Sequence, residues 1–324
     1  MSNVKFSGTS STSANNYRGR YAPSPTGYLH LGNVWTALIS WCAAQQNNGR
    51  WILRLEDLDR ARCQKIYEDA MYEDLHALGF IWAEGPDIGG PYGPYRQSER
   101  LDIYNNIIGQ WRETGRMYAC TCSRARRLAI ASAPHRGDHH VDYDGHCRWH
   151  VPELMKRPPS WRYRGRNETV IYQSRRGETI STTMVEGADD ILVLRADGVY
   201  SYQFAVAVDD AMMRITEVIR SVDLAESTGW QVRFMNALDL TAPMYWHIPL
   251  LCDWEGIRLS KRQHGITVRE LLKAGKAPAD ILGYLGYLAG INPQRKPQTL
   301  QELASIDLAE WQLDSLEIRL KEGL

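Results

Sequence analysis

The chain has 324 residues, of which 44% are hydrophobic and 23% are charged, and its 38 basic and 38 acidic side chains give a formal net charge of zero. This length supports two or three domains with a sizeable core, and the lack of any uninterrupted run of about 18 apolar residues argues against a membrane span. A zero net charge does not exclude a nucleic-acid partner, because binding depends on how charge is distributed over the surface.

The N-terminal residues and the cysteines indicate the cellular compartment of the protein. Residues 1–16 are rich in Ser, Asn and Thr and lack the apolar core of a secretory signal, which predicts a disordered leader. Six cysteines without such a signal favour reduced thiols, and hence a cytoplasmic protein. We interpret the isolated Cys42, Cys63 and Cys252 as small buried hydrophobic residues, and we expect a monomer with no membrane attachment.

The first sixty residues follow the order strand, loop, helix, strand. An extended piece at 20–22 precedes a loop at 23–27 that contains two prolines and a glycine. The apolar spacing becomes helical from His30, and a compact apolar strand at 51–55 leads into the acidic segment 56–59. This order predicts a βαβ unit, the start of a nucleotide-binding parallel sheet.

The middle of the chain changes character. Residues 64–80 and 97–115 have helical patterns. The stretch 116–195 is rich in Arg, Pro and Gly, has several short strand-like pieces, and predicts an insertion. Beyond it, the apolar run 202–209 predicts a strand and 215–219 predicts a helix.

The last third of the chain begins with an apolar strand at 247–252, which leads into a basic loop at 258–262. Helices are predicted from Val268 onward, with a break at Asn292 and Pro293. ATP carries close to four negative charges, so a site for it needs backbone N–H groups at a helix start together with cations. The start of the helix at His30 supplies the N–H groups, and the basic loop supplies the cations. The chain has no G-x-x-x-x-G-K-[ST] motif, which excludes a P-loop.

Two of these segments resemble known signatures. The segment 23–33 resembles the "HIGH" signature of class I aminoacyl-tRNA synthetases, and 258–262 resembles their "KMSKS" loop. The strings 20–27 and 54–59 are similar to the forms found in glutamyl-tRNA synthetases. The resemblance covers about residues 17–265.

The resemblance implies a set of residues for ATP. These positions are His30, Gly32, Asn33, Ser260 and Lys261. Asn33 replaces the last His of the first signature, and the loop retains only Ser260 and Lys261 of the second, as in the glutamyl subgroup. His30 is expected to donate to ATP as negative charge builds on the α-phosphate, and Lys261 to stabilise the departing pyrophosphate, with Mg²⁺ accompanying the nucleotide.

A glutamate site needs a partner for each charged group. A γ-carboxylate calls for an arginine, and Arg20 and Arg220 are both candidates, with their division between the two carboxylates left open. Glu56 and Tyr202 could meet the ammonium group. In the glutamyl family the matching positions line the pocket, which implies the set Arg20, Ala22, Ser24, Glu56, Tyr202 and Arg220. Two functions stay open for the pair Asp209 and Asp210: binding of a metal ion or a ribose, and a structural or tRNA-end role.

Three cysteines of the insertion predict a metal site. Cys120, Cys122 and Cys147 supply three thiolates, one short of a tetrahedral structural zinc site. Chemistry alone favours a histidine as the fourth ligand, and the candidates nearby are Tyr143, His146, His150, His135, His139 and His140. The segment 143–147 resembles the zinc segment of glutamyl-queuosine tRNA(Asp) synthetases, in which a tyrosine completes the set. The resemblance therefore implies the ligands Cys120, Cys122, Tyr143 and Cys147.

The insertion is also basic, because residues 124–166 contain ten Lys or Arg and four Asp or Glu. Such an excess is typical of a surface that binds phosphates, so we expect the insertion to bind the acceptor RNA.

After Lys261 only 63 residues remain, less than the anticodon-binding region of a full glutamyl-tRNA synthetase. The resemblance thus implies a glutamyl-queuosine enzyme, which activates glutamate without tRNA and attaches it to the queuosine base of tRNA(Asp).

Three alternatives stay open: a short glutamyl-tRNA synthetase that charges a tRNA 3′ end, a non-catalytic tRNA-binding paralogue, and a ligase with a non-RNA acceptor. The predicted fold is an α/β class I synthetase, with a Rossmann-like parallel sheet interrupted by an α+β zinc-containing insertion and followed by a short helical C-terminal region. The expected divisions are the leader (1–16), the first half of the catalytic domain (17–115), the insertion (116–195), the second half with the KMSKS-like loop (196–265) and the C-terminal region (266–324).

Overall fold

The computed structural model describes residues 16–123, 143–150, 158–259 and 267–321. In chain order its strands are β1 (Arg18–Tyr21), β2 (Arg50–Leu53), β3 (Met117–Cys120), β4 (Ser160–Tyr163), β5 (Glu168–Gln173), β6 (Thr179–Met184), β7 (Leu192–Leu194), β8 (Glu217–Ser221), β9 (Met244–Ile248), β10 (Leu250–Cys252) and β11 (Glu317–Arg319). Its helices are α1 (Leu31–Gln46), α2 (Lys65–Ala77), α3 (Leu101–Glu113), α4 (His146–Trp149), α5 (Tyr202–Met212), α6 (Ser227–Ala237), α7 (Val268–Lys273), α8 (Pro278–Leu288) and α9 (Leu300–Ala304).

The central sheet is parallel and has the strand order β2-β1-β8-β9. The chain winds from β1 to β2 on one side, and β8 and β9 are added on the other side. The order therefore reverses between β1 and β8, and ligands of open parallel sheets bind in the crevice at the carboxyl end of such a point. The βαβ unit predicted from the first sixty residues is confirmed.

The helix α1 is the centre of the main core. Val34, Leu38 and Cys42 are completely buried, and apolar residues cover its other faces as well, which is typical of a helix enclosed by neighbours. Gln46 ties its C-terminal end to the last part of the chain, because its amide donates to the carbonyl oxygens of Ala304 and Ile306 at 3.1 and 2.7 Å.

Two element predictions were wrong. Residues 202–209, predicted as a strand, form the start of helix α5, whose N-cap Ser201 accepts a hydrogen bond from the N–H of Phe204. Residues 215–219, predicted as a helix, lead into and form strand β8. Short apolar runs look alike in helices and strands when every face is buried, and Phe204 to Val208 are all completely buried.

The segment 116–195 contains two antiparallel sheets, one of order β3-β4-β7 and one hairpin of β5 and β6. The hairpin packs against the central sheet, since Tyr172 and Met184 share a hydrophobic cluster with Val218 and Tyr245. The hairpin turn is fixed there by a hydrogen bond of 3.0 Å from the Arg175 N–H to the Tyr245 carbonyl.

The C-terminal region is helical from Val268, as predicted, and α8 ends shortly before the predicted break at Asn292 and Pro293. The sequence did not reveal β11, which pairs in parallel with β10 through Leu250 and Glu317. Among the described residues, no helix has both the length and the apolar character needed to cross a membrane.

Candidate active site

A cleft of about 840 Å³ opens at the carboxyl end of β1 and β8. It brings together all six positions predicted for glutamate and three of the five predicted for ATP. These lining residues are Arg20, Ala22, Ser24, His30, Gly32, Asn33, Glu56, Tyr202 and Arg220. Ser260 and Lys261 lie outside the described residues, although the neighbouring Arg258 and Leu259 line the cleft.

His30 lies in the cleft wall as the N-cap of α1. Its Nδ1 accepts a hydrogen bond from the N–H of Gly32 at 3.1 Å, and its own N–H donates to Asn33 Oδ1 at 3.1 Å. Because Nδ1 is an acceptor, the proton of the neutral ring is on Nε2, which makes that atom a donor. The helix N-terminus and this donor together favour an anionic ligand.

Gly32 leaves room for this ring. A Cβ atom at position 32 would lie 3.0 Å from His30 Cε1 and 3.1 Å from its Nδ1. Any side chain there would therefore push against the imidazole that caps the helix, which explains why the cap at His30 is followed by a glycine two residues later.

A buried network of charges forms one end of the cleft. Arg54 is completely buried and donates to Asp210 at 2.6 Å and to Glu56 at 3.1 Å. Arg20 donates to Asp210 at 3.2 Å and to the Ile219 carbonyl at 3.1 Å. Burial raises the pKa of Glu56 to about 7, although Arg54 and Arg20 oppose that shift. Glu56 is thus a buried carboxyl group that lines the cleft, where an ammonium group could meet it.

Asp209 and Asp210 belong to this buried network. Both are completely buried, and neither lines the cleft. Asp209 accepts from Arg100 at 2.6 Å and from Gln97 at 2.9 Å, while Asp210 accepts from Arg54 and Arg20. Their carboxylates compensate buried arginines and are not open to a metal ion or a ribose.

Arg220, the second-last residue of strand β8, also lines the cleft, with 3% of its surface exposed. It donates to Gln231 Oε1 at 2.7 Å and to Thr228 Oγ1 at 2.8 Å. Tyr202 begins α5 and is 38% exposed toward the cleft. Arg54 lies in the segment 54–59, whereas Gln231, Thr228 and His247 belong to no short motif. None of the four was predicted for the site, although they hold the predicted residues in place.

The three predicted cysteines form a cluster. The Sγ atoms of Cys120, Cys122 and Cys147 all lie within 4.8 Å of one another, and Cys122 and Cys147 are 3.4 Å apart. Zn–S bonds of about 2.3 Å in tetrahedral geometry place sulfur atoms about 3.8 Å apart, so the three thiols suit a metal ion. All six cysteines are free thiols.

Tyr143 packs in the same cluster, and its hydroxyl accepts a hydrogen bond of 3.0 Å from the Cys147 N–H. The described histidines His146 and His150 are not part of the cysteine cluster and stack on each other instead, with ring centroids 4.9 Å apart. His135, His139 and His140 lie outside the described residues.

The cysteine cluster adjoins the cleft through two arginines. The guanidinium carbon of Arg162 lies 3.7 Å from the centre of the Tyr143 ring, and its Nη1 donates to the Asp190 carbonyl at 2.6 Å. Arg148, next to Cys147, donates to the Asp190 carboxylate at 2.7 Å. Since Arg162 and Asp190 both line the cleft, the cluster supports one of its walls.

Comparisons with known proteins identify the family of the chain. Residues 16–322 match the family model described as "tRNA synthetases class I (E and Q), catalytic domain". The chain therefore belongs to the class I tRNA synthetases of this family, and it is a ligase that uses ATP. Within that family it is 41% identical over 307 residues to the "Glutamyl-Q tRNA(Asp) synthetase" of Symbiobacterium thermophilum, with 90% of this chain and 92% of the relative covered.

Longer members of the family are also similar. A "Glutamate--tRNA ligase" of a Sulfurihydrogenibium species is 38% identical over 298 residues, which cover 88% of this chain and 60% of that protein. The crystal structure of "Glutamate-tRNA Synthetase from Elizabethkingia anophelis" matches with a TM-score of 0.77 and 28% identity, over 95% of this chain and 68% of that one. The parallel α/β class I synthetase fold is thus confirmed.

Proposed function

We propose that this ligase activates L-glutamate with ATP in the absence of tRNA, and then transfers glutamate from the adenylate to the queuosine base in the anticodon of tRNA(Asp). The single observation that carries the first step is the cleft itself. One helix N-terminus capped by His30 lies in the same cavity as two arginines and Glu56. Such a cavity suits a polyphosphate beside an amino acid that has two carboxylates and one ammonium group.

In the proposed reaction the α-carboxylate of glutamate attacks the α-phosphorus of ATP and pyrophosphate leaves. His30 donates from Nε2 to the phosphate oxygens as they gain charge. Glu56 and Tyr202 hold the ammonium group, and Arg20 and Arg220 hold the carboxylates, with Ala22 and Ser24 completing the pocket. Ser260 and Lys261 stabilise pyrophosphate, and Mg²⁺ accompanies the nucleotide.

In the transfer step a hydroxyl of the cyclopentenediol of queuosine attacks the carbonyl of the mixed anhydride, and AMP leaves. The names of the relatives at 36–41% identity support this acceptor. Charging of a tRNA 3′ end is the second candidate, because glutamate–tRNA ligases are similar at 37–39% identity. The basic insertion is proposed to bind the acceptor RNA.

We further propose that Cys120, Cys122, Cys147 and Tyr143 hold one structural Zn²⁺. The spacing of the three sulfur atoms and the proximity of the Tyr143 hydroxyl support this donor set. A bound ion would join Cys120 and Cys122 to Cys147 of α4. It would thereby hold Arg148 and Arg162 in place at the cleft wall. Six free thiols are consistent with a reducing compartment such as the cytoplasm, and the monomeric state stays a prediction.

The test is attachment of radiolabelled glutamate to purified tRNA(Asp), with and without queuosine, alongside tRNA(Glu). Glutamate-dependent exchange of pyrophosphate into ATP without tRNA measures the first step separately. We expect exchange without tRNA and labelling of queuosine-containing tRNA(Asp) alone, with the label in the anticodon fragment after nuclease digestion. Label in the 3′-terminal fragment, or on tRNA(Glu), would favour the second candidate instead.

A further inference from the structure

The guanidinium group of Arg220 is surrounded by uncharged side chains. Gln231 and Thr228 accept from its two Nη atoms, and the centre of the Tyr245 ring lies 5.2 Å from its central carbon. We propose that these residues and His247 form a neutral clamp, which positions Arg220 for glutamate without cancelling its charge. The inference rests on the proposed function, because it assigns a purpose to the surroundings of a proposed glutamate-binding residue.

His247 completes the clamp as a hydrogen-bond acceptor. Its Nε2 lies 3.0 Å from Thr228 Oγ1, and Arg220 Nε donates to the same atom at 3.4 Å. Since Thr228 Oγ1 accepts from Arg220 Nη2, its own proton is directed at His247. The ring is therefore neutral with its proton on Nδ1. Burial, together with the adjacent Arg220, lowers the pKa of His247 to about 3, so the ring stays neutral at physiological pH.

Arg20 has the opposite environment. Its guanidinium forms an ion pair with the completely buried Asp210, so much of its charge is already compensated. Arg220 forms no ion pair with any carboxylate in the described ranges, and the side chains there that contact its guanidinium group are all neutral. A buried cation without a counter-ion is costly, and a carboxylate ligand would remove that cost.

The geometry also leaves donors for a ligand. The clamp uses one N–H on each of the three guanidinium nitrogens, so a second N–H remains on each Nη atom. A carboxylate can accept both of these, and the pairing is stronger for a charged acceptor than for a neutral amide. The uncompensated charge assigns Arg220 to the side-chain carboxylate, so the neutral clamp is expected to favour glutamate over glutamine, whose side chain carries no charge.

Two substitutions of Gln231 separate the effect of a charge beside Arg220 from the effect of how Arg220 is oriented. Gln231→Glu keeps the acceptor on Arg220 and adds a counter-charge, whereas Gln231→Met removes the acceptor and adds none. Both variants lose the hydrogen bond of 2.8 Å from Gln231 Nε2 to Gln203 Oε1, so that loss cancels in the comparison. The readouts are KM and kcat for glutamate and for glutamine in pyrophosphate exchange, with thermal unfolding to check folding.

We expect Gln231→Glu to raise the KM for glutamate by about tenfold or more and to lower the preference for glutamate over glutamine by about tenfold, with a smaller change in kcat. Gln231→Met is expected to raise KM by about threefold and to retain the preference. An equal preference in the two variants would overturn the role assigned to the neutral charge.

Thr228 provides a second test, which does not alter charge. Thr228→Val is close in shape and removes the hydroxyl that joins Arg220 to His247, while Thr228→Ser keeps it. We expect KM for glutamate to rise by about fivefold in the valine variant and to recover in the serine variant. Unchanged KM in Thr228→Val would overturn the clamp. A wild-type enzyme inactive with glutamate would overturn the proposed function and the clamp together. If the clamp alone were wrong, the wild type would activate glutamate and Thr228→Val would leave its KM unchanged.

Discussion

Arg54 and Asp210 form an ion pair of 2.6 Å in which both side chains are completely buried. The pair joins the end of β2 to α5 and underlies the cleft, because Arg20 and Glu56 contact the same two side chains. The network holds the proposed ammonium-binding and carboxylate-binding groups in fixed relation. We therefore expect its residues to serve both stability and substrate binding.

Loss of Arg54 should destabilise the fold. Arg54→Met leaves Asp210 and its neighbour Asp209 without their shared partner, so we expect the free energy of unfolding to fall by about 3–5 kcal/mol. Urea denaturation measures the loss. The exposed pair of Arg195 and Asp197 provides the control, since Arg195→Met should cost less than about 1 kcal/mol. Equal losses in both variants would contradict a special role for the buried network.

The sequence predicted those site residues that belong to contiguous motifs at strand ends. Arg20, Glu56 and His30 were implied by the resemblance of their segments to synthetase motifs. The parallel strand order brings them together, because the carboxyl ends of parallel strands meet at one edge. Gln231 and His247 could not be predicted in this way, since they lie 11 and 27 residues from Arg220 and reach it only through the packing of α6 and β9. No local sequence pattern marks either residue.

The exchange of helix and strand near residue 202 has a similar cause. The run from Phe204 to Val208 is buried on every side, so neither a period of 2 nor a period of 3.6 is visible in its polarity. The cap at Ser201 was the available local signal for a helix. Strand β11 was missed because its pairing with β10 joins segments 67 residues apart, as in the pair Leu250 and Glu317, and no local sequence pattern marks that contact.

Enlarging Gly32 should impair catalysis more than folding. Gly32→Ala places a methyl group against the His30 ring and displaces its Nε2, so kcat for pyrophosphate exchange should fall by about tenfold or more. Gly109→Ala is the matched control, because no atom lies within 4 Å of its added Cβ in the middle of α3. That variant should keep full activity and gain up to about 1 kcal/mol of stability. Unchanged kcat in Gly32→Ala would argue against a catalytic His30.

The cysteine cluster predicts dependence on a metal ion. Cys147→Ser should lower the zinc content of the purified protein, measured by atomic emission, from about one ion per chain to a small fraction. A chelator should lower the melting temperature of the wild type and leave that of the variant unchanged. Cys63→Ser is the control, because Cys63 lies outside the cluster. Full zinc content in Cys147→Ser would exclude the proposed ligand set.

The raised pKa of Glu56 predicts a pH dependence of glutamate activation. Burial raises this pKa to about 7, so the carboxyl group is protonated below that pH and ionised above it. Only the ionised form attracts the ammonium group of glutamate. The value of kcat/KM for glutamate reports ionisations of the free enzyme, so it should increase from pH 6 to pH 8 with a bend near about 7. Glu56→Gln should lower kcat/KM and remove the bend, and a bend that persists in this variant would assign the ionisation to another group.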